Sequence, residues 1–292
     1  MAQETRRESE GKACDAILRW LEAREEGSRR DLKLHDNDPD PNARVELTCR
    51  IGGTLFALEH SFVEPFEGHT ALEFAFQSLQ RSIRDEISGK IPSTENFQLF
   101  IPVKALLGLR NREIPAIKDA LVKWILEVAE LLPIAPFGEH IRGVAPVSVP
   151  GVPFNVTLHR RASGAFPSPF CIAVFVDTTM ESDRRDRILR TYEDKCPKLK
   201  AHKDRSNART VLILEEHDIS LTNYSLITDA VCDIEKTYLY RPDEIYLVET
   251  SIDPWFLHRI RVDDQYFRGT EILGDRLREI DPLNLLPLTS PG

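Results

Sequence analysis

The chain has 292 residues, 41% of them hydrophobic and 29% charged, with a formal net charge of -9; these are globular-protein values, enough for one large domain or two small ones. No apolar run approaches the ~20 residues that span a bilayer, and the acidic total argues against a surface generally adapted to nucleic acid. Five scattered cysteines (Cys14, Cys49, Cys171, Cys196, Cys232) argue against a disulfide framework or zinc knuckle, and the N-terminus shows no apolar signal segment, so a cytoplasmic location is expected.

Residues 5–26 read as an amphipathic helix, with Ala13, Ala16, Ile17, Trp20 and Leu21 at helical spacing. Glu10 continues that stripe, at the core's rim or pointing into a site. In the loop 35–42, Asp36, Asp38 and Asp40 alternate. A calcium loop starting at Asp36 would need Gly and Glu where Pro41 and Leu47 stand, so Asx-type turns are expected instead. Val45, Leu47, Cys49 and Ile51 then alternate with polar residues, and Gly52-Gly53 is a two-residue hairpin signal. With those glycines at the turn, Leu47 faces Leu58 and Glu46 faces Glu59, with Arg44 and Ser61 one step along. Facing carboxylates need a cation or a proton to relieve them; on a wet surface, Arg44 and Arg50 would neutralise them. His60 alternates to the opposite side from Glu59 and reads as a core or second-layer histidine.

Helices are expected over 70–88 and from Pro115 to before Pro133, with a strand over 96–103 between them. Residues 133–169 are rich in Pro and Gly around a candidate strand at 154–158. Residues 170–177 form a continuous apolar strand. Between Arg184 and Arg209, ten Lys/Arg and four acids give +6, in a helix with Ile188, Leu189, Tyr192 and Cys196 inward and a break at Pro197. Its bland reading is a solvated face; its functional reading is a grip on a polyanion. Strands at 210–214, 244–249 and 255–262, with a helix at 224–232, complete an α/β pattern with a partly parallel sheet. Residues 281–292 look like a tail.

Glu10 on the first helix, Pro39-Asp40 before the hairpin, Glu46 on its first strand and Glu59-His60-Ser61 on its second resemble the PD-(D/E)XK nuclease superfamily. The resemblance covers the first quarter and last third of the chain, and Ser61 replaces the motif lysine. It implies a restriction-endonuclease-like mixed sheet flanked by helices, formed by residues 1–66 and 170–280, with 67–169 as a helical insertion. It also implies a Mg²⁺- (or Mn²⁺-) dependent phosphodiesterase acting on DNA. Metal ligands would be Glu46, Glu59, Asp40 and Glu10, with catalytic roles for Glu46, Glu59, Ser61 and Arg44. Lys198, Lys200, Lys203 and Arg205 would contact the nucleic acid, and a homodimer fits the pattern. The missing lysine leaves a second reading open: an inactive module of this fold that binds nucleic acid or a protein partner. An unrelated α/β interaction protein is a third.

Overall fold

The computed structural model describes residues 2–35, 45–92, 94–135, 145–162, 169–175, 179–218, 224–267 and 278–288. In chain order, α1 (Ala2–Arg24) is followed by β1 (Arg30–Leu34), β2 (Leu47–Ile51) and β3 (Thr54–Phe62). Next come α2 (His69–Ile87), β4 (Glu95–Pro102), α3 (Ile114–Val128), β5 (Ile134–Ala135), β6 (Val147–Ser148), β7 (Asn155–Ala162) and β8 (Phe170–Phe175). The chain ends with α4 (Met180–Ser206), β9 (Arg209–Glu216), α5 (Tyr224–Glu235), β10 (Glu244–Glu249), β11 (Trp255–Val262), β12 (Gln265–Tyr266) and β13 (Arg278–Ile280). This is an α/β protein of two units, one formed by residues 1–67 and 179–292 and the other by 68–178.

The first unit holds a mixed sheet in the order β1-β2-β3-β9-β10-β11-β12, with β13 also on β11. The hairpin has the expected register: Ile51 faces Thr54, Cys49 faces Phe56 and Leu47 faces Leu58. Gly52 and Gly53 take φ of 55° and 91°, which glycine adopts without the steric penalty a side chain would meet. β3 and β9 run parallel, as do β9 and β10, while β11 is antiparallel to β10. The parallel steps need crossovers, and α5 supplies the one from β9 to β10. Alternation sorts the side chains. Leu58, Ile213 and Val248 pack under Ile17, Leu18 and Leu21 of α1. Ala57, Leu212 and Leu247 pack under Ile188, Tyr192 and Cys196 of α4 and Ile227 and Val231 of α5. Helices therefore cover both faces, which is why the central strands are apolar on both sides.

The second unit holds the sheet β5-β7-β4-β8, with β6 on β7. β8 pairs in parallel with β4, Leu99 beside Ile172. The apolar strand beginning at residue 170, expected in the core with 1–66, thus belongs to the inserted unit, and the return to the first unit comes at residue 179. Its apolar run is satisfied by a neighbour that sequence order alone does not name.

Two further expectations are corrected. α4 runs through Pro197 without ending. Pro197 is exposed, as is Glu193, whose carbonyl loses its helical donor there; water can replace that bond, while Cys196 and Leu199 stay buried on the other side. Residues 281–288 are not a loose tail. Leu285 is buried, Leu288 packs on the same cluster, and the Leu286 amide donates to Asp15. Among the described residues, no helix is long and apolar enough to cross a membrane.

Candidate metal centre

Glu46 stands one residue before β2, so its side chain is not bound to either face of the sheet. One oxygen accepts a hydrogen bond from the His60 backbone amide (2.7 Å), where a strand would otherwise offer a carbonyl. The other accepts from Lys195 Nζ of α4 (2.9 Å). Lys195 Nζ also lies 2.9 Å from Glu59 Oε2. The two carboxylates expected to face each other are thus bridged by an ammonium group. Ser61 meets the Thr191 hydroxyl at 3.0 Å. β3 and α4 pass in opposite senses, so Ser61 meets Thr191 where Glu59 meets Lys195, one helical turn further on.

On the α1 side, His60 is buried and its Nε2 lies 2.7 Å from Glu215 Oε2. Ser9 donates to the other Glu215 oxygen (2.5 Å). Glu10 completes the group: one ligand atom each from Glu10, Glu46 and His60 lie within 4.8 Å of one another. These three line a cleft of about 330 Å³ whose opposite wall is formed by α4, including Lys195.

The electrostatics follow from burial and neighbours. Burial, then the Glu46 charge, raises Glu59 to about 7 against the pull of Lys195. Burial and Glu46 likewise raise Glu10. Burial would lower Lys195, but Glu46 and Glu59 outweigh it and hold it above its ordinary value. Burial would raise Glu215, yet the His60 hydrogen bond and charge, with Ser9, take it below the usual carboxylate range. Burial would lower His60, but Glu215, Glu46 and Glu10 turn the net shift upward. An ionised Glu215 accepts from His60 Nε2, so Nδ1 carries a lone pair only once the imidazolium has lost its second proton. A carboxylate orienting a histidine in this way is the usual support behind a metal-binding imidazole.

Of the expected ligands, Glu10 and Glu46 come together. Glu59, 1% exposed, lies behind Lys195 and is absent from the cleft wall; an ammonium takes the place expected for a metal. Asp40 and Arg44 lie outside the described residues. His60 points away from Glu59 as its alternation requires, but it belongs to the candidate centre as well as to the second layer, because Glu46 serves both sides. Lys198 pairs with Asp194 (3.3 Å) and Lys200 with Asp204 (2.5 Å), Lys203 is held by Asp243, and Arg205 is exposed. None of these four lines the cleft. Lys195 and Glu215 were missed. Spacing held a signal for both: Lys195 lies four residues from Thr191 on one stripe, and Glu215 shares the parity of Val211 and Ile213.

No family model, no curated protein and no solved structure matches this chain.

Proposed function

We propose that the chain is a metal-dependent phosphodiesterase acting on DNA, with a restriction-endonuclease-like arrangement of helix, hairpin, basic helix, strand, helix and strand. The observation that carries this reading is Lys195 held between the hairpin carboxylates Glu46 and Glu59, beside the Glu10–Glu46–His60 group. On this reading, Lys195 of α4 takes the role of the lysine absent from position 61. Glu10, Glu46 and His60 would hold the cation. Two carboxylates suit Mg²⁺ or Mn²⁺, and the ring nitrogen shifts the preference toward Mn²⁺. When bound, the cation supplies Lewis acidity toward water and phosphate. Lys195 stays cationic at any working pH, so it acts as a fixed positive charge beside the phosphate and not as a base. Glu59 orients it from below.

One observation favours the inactive-module reading: Glu59 is closed off by Lys195 and offers no surface to a cation. A cleavage assay decides between them. Single-stranded, duplex and branched DNA are incubated with Mn²⁺ and with Mg²⁺. Cleavage is expected with Mn²⁺, and Glu46→Ala and Lys195→Ala should each lower it by about 10² or more, the scale of removing one preorganised charge. No cleavage of any of the three DNAs, or cleavage unchanged in Glu46→Ala, sinks the enzymatic reading.

A further inference from the structure

α4 carries two adjacent stripes. Ile188, Tyr192, Cys196 and Leu199 are buried in the core. Beside them Arg187, Arg190, Thr191, Asp194 and Lys195 line the cleft, at the i, i+3, i+4, i+7, i+8 spacing of one helix face. Each arginine meets a single carboxylate through one contact. Arg187 lies 3.4 Å from Glu64, with side chains 27% and 15% exposed, and Arg190 lies 3.1 Å from Glu67, with side chains 60% and 79% exposed. The Arg190–Glu67 pair is open to solvent, so another anion can displace its carboxylate at little cost, while the half-buried Glu64 holds Arg187 through one long contact. The lysines further along α4 differ in position: Lys200 and Lys203 lie outside the cleft, beside Asp204 and Asp243.

We infer that Arg187 and Arg190 are the phosphate clamp of this cleft, that Glu64 and Glu67 occupy them until substrate arrives, and that the ligand is a phosphodiester chain. The inference rests on the phosphodiesterase reading and moves its DNA contacts from residues 198–205 to the first half of the helix. A guanidinium fork matches two phosphate oxygens, which a single carboxylate contact does not exploit. Arg187 and Arg190 stand ~12 Å and ~7.5 Å along the helix axis from Lys195, at 1.5 Å per residue. A row of cations leading away from Lys195 suits a polymer with successive phosphates. A lone phosphate at Lys195 would leave both arginines unused.

The test is binding of a fluorescently labelled single-stranded DNA to the full chain in EDTA, across a salt series, with polyaspartate as competitor. Arg187→Ala and Arg190→Ala are each expected to weaken binding about tenfold and to reduce the slope of log K against log salt by about one. Glu67→Gln should tighten binding, Lys200→Ala should leave it unchanged, and polyaspartate should compete poorly. Arginine variants that bind like wild type, an equal loss in Lys200→Ala, or polyaspartate competing as well as unlabelled DNA overturn the clamp. So does a wild type that binds no DNA. Binding that follows the arginines without Mn²⁺-dependent cleavage leaves the clamp standing and removes the enzymatic reading. Cleavage that ignores the arginines does the reverse.

Discussion

At the scale of single residues, two buried groups make their charge state visible. Lys195 relieves Glu59, whose carboxyl is still raised to about 7 by burial and Glu46. A carboxyl raised above its ordinary 4.5 takes up a proton on folding, so its ionisation costs stability as pH rises through 7. Lys195→Ala leaves that carboxylate without its cation. We expect a loss of ~3 kcal/mol at pH 8, the cost of breaking a buried pair, and a smaller loss at pH 6, where Glu59 can protonate; urea unfolding at the two pH values measures it. Equal losses at both would mean that Glu59 is not the group left exposed to the cost. Glu216 makes an independent case on the α5 face. Burial and the facing Glu249 raise it to about 8, so its ionisation destabilises the fold progressively between 4.5 and 8. Glu216→Gln should be near neutral at pH 6 and stabilising by ~2 kcal/mol at pH 9, a bound below the full linkage of the shift. Thermal midpoints read across that range check the sign.

At the scale of elements, close backbone contact fixes what composition leaves loose. A Cβ on Gly11 would lie 2.5 Å from the Leu288 nitrogen and 2.8 Å from its carbonyl oxygen. α1 and the C-terminal segment meet there main chain to main chain, so no side-chain rotamer can absorb an added methyl. Gly11→Ala is expected to cost ~1–3 kcal/mol, the range for overpacking, despite its better helix propensity. The cost should vanish in a chain truncated before residue 286, although truncation itself destabilises by exposing the surface that Leu288 covers. A double-mutant cycle of the two changes measures the coupling, and additivity would count against the contact. The hairpin shows the opposite case. Gly52-Gly53 and the alternation on either side determine its register locally, so Glu46 and Glu59 could be brought to one end of it before any partner was known.

At the scale of the whole molecule, the net charge of -9 says little about the cleft. The +6 of the segment 184–209 is also partly consumed, since Arg184, Lys200, Lys203 and Arg209 all meet acids. A metal bound by Glu10, Glu46 and His60 stabilises only the unit that contains them. Trp20 and Trp255 lie in that unit and Trp124 in the other, so the fluorescence of Trp124→Phe reports the first unit alone. Mn²⁺ at a hundredfold excess over its Kd should add ~2.7 kcal/mol to that transition. The gain should grow from pH 6 to pH 8, because the raised His60 and Glu10 must lose protons to bind. Glu46→Gln should abolish it. An unmoved midpoint in wild type would remove the metal centre.

The sequence by itself determined the local features: the α/β class, the hairpin and its register, the amphipathic faces of α1 and α4, and the side of β3 on which His60 lies. Each depends on a period of 2 or 3.6, or on glycines at a turn. Only the tertiary structure decided that β8 pairs with β4, that residues 281–288 pack against α1, and that Lys195 reaches between Glu46 and Glu59 from 136 positions beyond Glu59. It also decided that Glu215 stands behind His60, and that Arg187 and Arg190 face the cleft while Lys200 and Lys203 do not. Those relations are set by which strands pair and how a helix lies across them, and no local period encodes either. The hairpin carboxylates were therefore legible as a charge conflict, but the cation that relieves them was not.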